Sequence, residues 1–486
     1  MGYLLKKIGI ALVFIGLIAL LGCEKKPVNG DDPDPDPDPD PDPDPPAFVV
    51  EITRPWDGDT VYQFLKVSVE ADTALDFVEI RWNDDFAVDS TKPYMMSFDI
   101  SSLEPGFYDI IAIGHAGAES ESVSIEVFVG DIACDPGEPV FIGGIEIPEG
   151  SITRSASGCV LGLYLSSMGL SSANCLDGIE IHGKTLRWLF LNNNNLAEID
   201  LSPLAGFNSL EHINLSGNRL SSIDLSPLSN LPHFETLLLA DNELEFVDLS
   251  PIGTCRKFVN LDLSNNNLTS QDLSPFNDCN ELKYLYLKGN NFASIDLSFI
   301  ANCSRLIELD LSDNQLEIID ISPLSGLAKL EVLRLGINSI SNISLNSITT
   351  CRSLREIDIS SNSLAAIDLS PLTNLKELTT ILLSVNEIRH VDLEPLASCT
   401  SLERLTLGRN HLTDIDLAPL EACLNLRQLH LATNAFFEID LSPMLDLPRL
   451  EEILLNYNPF SPEACANICD FIYARPDVTV ASICDC

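Results

Sequence analysis

The chain has 486 residues, a formal net charge of −44 from 28 basic and 72 acidic residues, and 45% hydrophobic content. That length calls for several modules, and the apolar share is ample for a core. An acid excess of this size excludes a nucleic-acid partner, which needs a basic surface.

The N-terminus carries Lys6 and Lys7, an apolar run from Ile8 to Leu21, and then Leu20-Leu21-Gly22-Cys23. A charged start, a short apolar run and a small residue before the cut describe an export signal over residues 1–22, too short for a membrane span. The competing reading is a simple uncleaved anchor. The residues before Cys23 resemble a bacterial lipobox, which implies cleavage there and lipidation of the Cys23 thiol and its new amino group. Several acyl chains together hold a protein to a bilayer. By the same resemblance, Glu24 after the cysteine is compatible with outer-membrane sorting. Residues 23–46 continue as a linker with eight Asp between positions 31 and 44. Alternating Pro blocks helix and sheet, and the carboxylates repel, so this stretch reads as an extended, disordered stalk.

Residues 47–130 contain strand-like runs such as FVVEIT, DFVEIRW, FYDIIAIG and SVSIEVFVG. Turn signals at Pro55-Trp56-Asp57-Gly58, Asn83-Asp84-Asp85 and Glu104-Pro105-Gly106 separate them. About seven short strands in this space predict a β-sandwich. The stretch resembles the immunoglobulin-like modules of bacterial surface proteins, which act mostly as spacers. Residues 131–188 are irregular, with a degenerate unit at Leu163–Leu170 that holds Met168 where later units hold Asn; they are expected to cap an array, with Cys159 and Cys175 as a candidate disulfide.

Residues 189–460 repeat every 24 residues around Asn194, Asn218, Asn242, Asn266, Asn290, Asn314, Asn338, Asn362, Asn386, Asn410 and Asn434, and the same spacing reaches Asn458. Each Asn lies in the frame LxLxxNxL, as in Leu261-Asp262-Leu263-Ser264-Asn265-Asn266-Asn267-Leu268. A unit this short buries an apolar side only by stacking on its neighbours. An Asn amide, with two donors and a two-lone-pair acceptor, can bridge the backbone of adjacent units where the chain leaves a strand. These residues resemble the leucine-rich repeat family. The resemblance implies an α/β solenoid: a curved parallel sheet with short helices or 3-10 turns on its convex side, here preceded by the small all-β sandwich. Ser before Pro in the IDLSPL stretches is read as a helix start, with Ser as the capping residue. At roughly 4.8 Å per strand, twelve units make a sheet about 55 Å long. Residues 461–486 form a C-terminal cap with a helix starting at Ser461 and Pro462, and Cys465, Cys469, Cys484 and Cys486 are disulfide candidates.

Asp recurs six residues after the Asn, at positions 200, 224, 248, 272, 296, 320, 368, 392, 416 and 440, with Ser344 as the exception. A local turn in which each carboxylate accepts the N–H two residues on is preferred to a row of calcium ions. Cys255, Cys279, Cys303, Cys351, Cys399 and Cys423 share a position with Leu or Phe in other copies, and are read as free core thiols. The residues flanking the first strand leucine should face solvent on the concave side. Candidate ligand-binding residues there are Trp188, Phe190, His212, Asp262, Tyr284, Tyr286, Asp310, Arg334, Asp358, Arg404 and His430, since exposed aromatics beside charges are common in binding hot spots.

No HExxH, GxSxG, Walker loop or GxGxxG motif occurs, and the seven His show no metal-ligand spacing. The sequence therefore points to a non-enzyme with no cofactor and no metal site. It resembles a bacterial leucine-rich repeat surface lipoprotein, and its modules resemble those of internalin-type adhesins, although those place the immunoglobulin-like module after the repeats. The expectation is a monomeric adhesion protein, lipid-anchored through Cys23 at the outer membrane or cell surface, that offers its concave face to a protein or glycan. A structural envelope component without external ligand and an enzyme hidden in the cap segment are the competing readings.

Overall fold

A computed structural model describes residues 139–156 and 158–486, and within 50–129 it describes 50–54, 60–61, 64–71, 75–82, 85–90, 94–99, 106–116 and 119–129. The expected signal peptide, Cys23 and the Asp-Pro linker lie outside the described residues.

Residues 50–129 form two small sheets. Val50–Arg54, Phe64–Ala71 and Tyr94–Asp99 pair antiparallel in one. The other orders Thr60–Val61, Glu119–Val129, Gly106–Ala116, Phe77–Trp82 and Asp85–Asp89, all antiparallel except the first pairing. Alternate residues meet between the sheets: Ile52, Val67 and Val69 from one share a core with Val78, Ile80, Ile110 and Ala112 from the other. The buried Tyr94 hydroxyl donates to the Leu75 carbonyl at 3.1 Å. Asp85, expected in a turn, starts a strand instead, pairing with Trp82 at the end of Phe77–Trp82.

The remainder carries one 15-stranded sheet. Its first strand, Ile152–Arg154, runs antiparallel to Val160–Tyr164; from there every pairing is parallel, to Thr479–Ala481. The degenerate unit is thus the first parallel strand, with Gly162 opposite Trp188. From Trp188–Phe190 to Glu452–Leu454 each strand buries its central Leu or Ile, and these side chains join one apolar core running through the stack.

The Asn side chains stitch that core together. Asn266 Nδ2 donates to the carbonyls of Leu239 (3.0 Å), Leu263 (3.1 Å) and Ser264 (3.2 Å), while Oδ1 accepts from Leu244 N at 3.0 Å. Leu239 and Leu244 belong to the preceding copy, so one amide satisfies backbone groups of two coils. The pattern runs from Asn194, bonded to Leu165, Leu191 and Leu170, to Asn458, bonded to Leu431 and Leu455. Asn314, Asn338, Asn362 and Asn434 are half-buried and the other eight buried.

On the opposite side each copy makes a short helical turn, and the Asp ladder closes locally. Asp200 Oδ1 accepts from Ser202 N at 2.8 Å, Asp272 from Ser274 N at 2.9 Å and Asp440 from Ser442 N at 2.8 Å, and the other seven do likewise. This corrects the expected role of Ser. The Ser is the first residue inside the turn, with Leu or Ile at the cap position before it, and makes no side-chain cap; its own N–H goes to the Asp two residues earlier. Two turn chemistries occur. Copies with Leu or Phe use a three-residue turn such as Ser202–Leu204, and four of them continue through a residue at positive φ: Gly206, Asn230, Gly326 or Asn374. Copies with Cys stay helical longer, as at Ser274–Asp278 or Glu394–Ser398. There the thiol can donate backwards: Cys255 to Leu228 O at 3.4 Å, Cys399 to Leu372 O at 3.5 Å and Cys423 to Leu396 O at 3.4 Å. These thiols are free, and burial pushes them up to about 12 at Cys279 and Cys423 and about 11 at Cys303, Cys351 and Cys399.

The two ends differ. The Cys159–Cys175 bridge does not form: Cys175 is a free thiol turned into the core beneath a Val140–Ile142/Ile145–Ile147 hairpin, and Cys159 is disulfide-bonded elsewhere. At the other end, the Ser461 hydroxyl caps the Pro462–Ala474 helix by accepting from Ala464 N at 3.0 Å. Disulfides Cys465–Cys484 and Cys469–Cys486 tie this helix to the chain end.

Candidate functional site

The open face of the long sheet is built from the two residues that flank each buried strand centre. Strand register stacks these residues in two columns. One runs Asp262, Tyr286, Asp310, Arg334, Asp358 on adjacent strands, and the other Asn260, Tyr284, Glu308, Val332, Glu356. Five of the expected ligand-binding residues thus share one column, and Tyr284 stands beside them. The Tyr284 and Tyr286 rings stack at 6.4 Å, with both side chains half-buried. Tyr286 Oη donates to Glu308 Oε2 at 3.0 Å; burial and that carboxylate push the phenol above its ordinary range.

Arg334 is the hub of the polar part. It pairs with Glu308, reaches Glu356 Oε1 through Nε at 2.7 Å and lies 3.8 Å from Asp310 Oδ2. Asp310 is not turned to solvent as expected. It is 7% exposed, its Oδ1 accepts from Ser312 N at 2.9 Å and from the Ser312 hydroxyl, and Arg334 stands over it. Burial also raises the Asp262 carboxyl, against the hydrogen bond it takes from Ser264 N at 2.9 Å. Gly336 leaves room for Asp358: a Cβ there would lie 2.9 Å from Asp358 Oδ2. The Asn260 Oδ1 atom, in the same patch, is buried and takes no hydrogen bond.

The other candidates stand apart from this patch. Trp188, Phe190 and His212 lie near the N-terminal end, where Phe190 stacks on Tyr164 at 5.0 Å and Arg187 sits 5.3 Å over Trp188. Arg404 is exposed with no ion pair among the described residues, and His430 Nε2 lies 3.0 Å from Glu452 Oε2. Sequence reasoning missed Tyr164, Glu308 and Glu356. For the two Glu the signal existed, because residues 22 or 26 apart in a 24-residue repeat are diagonal neighbours on adjacent strands, whereas Tyr164 pairs directly with Phe190 across a 26-residue step.

The Leucine rich repeat family model matches residues 184–244, 256–316, 304–364 and 352–412. The array is a leucine-rich repeat solenoid. No curated protein matches the sequence. Among solved structures, the chain is similar to an internalin of Listeria monocytogenes at 28% identity, over 68% of this chain and 91% of that one, with a TM-score of 0.55. A leucine-rich repeat protein of Leptospira interrogans shares the fold at 21% identity, over 72% and 96% of the two chains, with a TM-score of 0.53. A plant peptide hormone receptor in complex with RGF2 shares it at 22% identity, over 58% and 49%, with a TM-score of 0.51. The leucine-rich repeat array is thus internalin-like in its fold.

Proposed function

We propose that this chain is a non-catalytic adhesion protein of the bacterial cell surface, held to the membrane by lipid on Cys23 and spaced from it by the Asp-Pro stalk and an immunoglobulin-like module over residues 47–130. In this reading the repeats from residue 189 to 460, between caps over 131–188 and 461–486, present their concave face to a protein or glycan. The observation that carries it is the paired Tyr284 and Tyr286 rings beside the Arg334 hub, a half-exposed aromatic platform walled by oriented charges. Such a surface offers flat apolar area to a sugar ring or side chain and directional hydrogen bonds around it. The similarity of the array to an internalin supports a binding scaffold of this kind. Residues 47–486 should capture a ligand from host or envelope material. Tyr284→Ala with Tyr286→Ala should abolish that capture and leave the melting point in place; capture by the double variant at wild-type strength would refute this face as the site.

A further inference from the structure

The tyrosine platform lies on a face whose uncommitted hydrogen-bonding groups are mostly acceptors. Asp262 and Asp358 stand at the two ends of its column. Each takes a backbone N–H on Oδ1, from Ser264 at 2.9 Å and from Ser360 at 2.8 Å, and neither has a cation at ion-pair distance among the described residues. Between them Arg334 serves three carboxylates, Glu308, Glu356 and Asp310, so one guanidinium leaves that group negative. The other cations of these five strands do not close the gap. Arg355 lies 3.8 Å from Glu331, outside both columns, and Lys283 and Lys288 form no ion pair among the described residues; with both lysines counted, the carboxylates of the two columns still outnumber the cations five to three. The Asp262 carboxyl registers the imbalance. Burial first, then the Asp241 and Asp310 carboxylates, raise it against the hydrogen bonds from Ser264, and no cation pulls it back. On the strand beside Tyr284, Asn260 Oδ1 is a buried acceptor that no donor reaches, which is rare in a folded protein.

We propose that the tyrosine platform receives an arginine side chain of a basic polypeptide. This rests on the reading of that platform as the binding face and names what it takes. A guanidinium carries five N–H donors and no acceptor, stays charged at every ordinary pH, and lies flat on aromatic rings. Tyr284 and Tyr286, whose ring planes differ by 10°, supply the flat side, and Asp262 and the Glu308 group supply acceptors around it. The same sheet already holds such an arrangement within the chain: near its N-terminal end Arg187 lies 5.3 Å over the Trp188 ring and pairs with Glu211. At Tyr284 and Tyr286 the rings and carboxylates recur, and no cation of the described residues lies over the rings. A neutral sugar would share the ring contact and leave the negative charge unmatched.

The test screens the full chain on an array of random dodecapeptides at ~0.15 M salt, where long-range charge attraction is screened. Peptides with arginine should be enriched over those with lysine. Exchanging that arginine for citrulline, which keeps the shape without the charge, should weaken binding at least ~10-fold. Asp262→Asn with Asp358→Asn, which keeps both Oδ1 acceptors, should weaken it as much while melting at the same or a higher temperature. Asp392→Asn with Asp416→Asn removes the same charge from the convex side and should leave binding unchanged. No enrichment of arginine, undiminished binding of the citrulline peptides, or equal losses in the two double variants would each overturn the proposal. Capture of host or envelope material that needs the two tyrosines but survives Asp262→Asn with Asp358→Asn would overturn the arginine assignment and leave the platform standing as the binding face.

Discussion

Two polar ladders run the length of the same array and obey opposite physics. The Asn ladder is buried or half-buried, and each amide bonds backbone groups of its own coil and of the one before. The Asp ladder is exposed, and each carboxylate closes a turn within its own coil. A buried group left unpaired costs its full desolvation, whereas a surface turn that loses its acceptor turns to water. The first ladder therefore holds coils to one another and keeps the open face continuous; the second only shapes the convex side.

The largest effect expected from this contrast is at Asn266. Asn266→Ala strands the Leu244 N–H and weakens three carbonyl contacts, and should cost about 4 kcal/mol in urea denaturation. Asn266→Asp should cost nearly as much, because a carboxylate cannot donate to Leu239 O. Acid separates the ladders next, and the Asn ladder does not titrate. Burial, with Arg154 nearby, pushes His182 down to about 4, and its Nε2 takes no hydrogen bond. A folded-state value below the unfolded one, about 6.5, means the unfolded chain binds the extra proton, so stability should fall as pH drops from about 6.5 to 4, by at most about 3 kcal/mol. His182→Asn should flatten that stage of a denaturation series. A second, smaller loss should follow below about pH 4: hydrogen bonds from Ser250, Ser274, Ser322, Ser370 and Ser442 hold Asp248, Asp272, Asp320, Asp368 and Asp440 below their ordinary value, so their contribution is present above it and disappears as they protonate. Smallest of all, Asp272→Ala should lower the melting temperature less than Asn266→Ala does, and Asp272→Asn, which keeps the acceptor, should barely move it. An Asp272→Ala loss equal to that of Asn266→Ala would break the contrast.

Most of the solenoid was legible because periodicity fixes register: a 24-residue spacing of Leu and Asn dictates which side chains stack. The Asp turns were legible for the same local reason, since an Asx turn needs only the residues around it. What escaped depended on contacts that cross copies at other spacings. Cys and Leu looked interchangeable as buried apolar residues, yet the Cys copies extend the helical turn and, as at Cys399, can send an S–H to the preceding coil. The Cys159–Cys175 pairing failed because Cys159 has its sulfur in another disulfide while Cys175 is buried as a free thiol, and spacing along the chain says nothing of either. On the open face the positions were readable, but the burial of Asp310 was not: it arises when Arg334, one strand away, is drawn over it by Glu308 and Glu356. The positive φ of the residue before each ladder Asn is invisible where that residue is Ile337 or Val385, types that argue against it.

Amide hydrogen exchange in the Asn266→Ala chain examines the inter-coil seam most directly, at the Leu244 N–H that Asn266 Oδ1 accepts. Faster exchange at Leu244 and in the coils on both sides of the substitution, with distant copies unchanged, is the expected result. Full protection at Leu244, or deprotection confined to the coil that carries residue 266, would mean that the amides do not join neighbours and that something else holds the open face together.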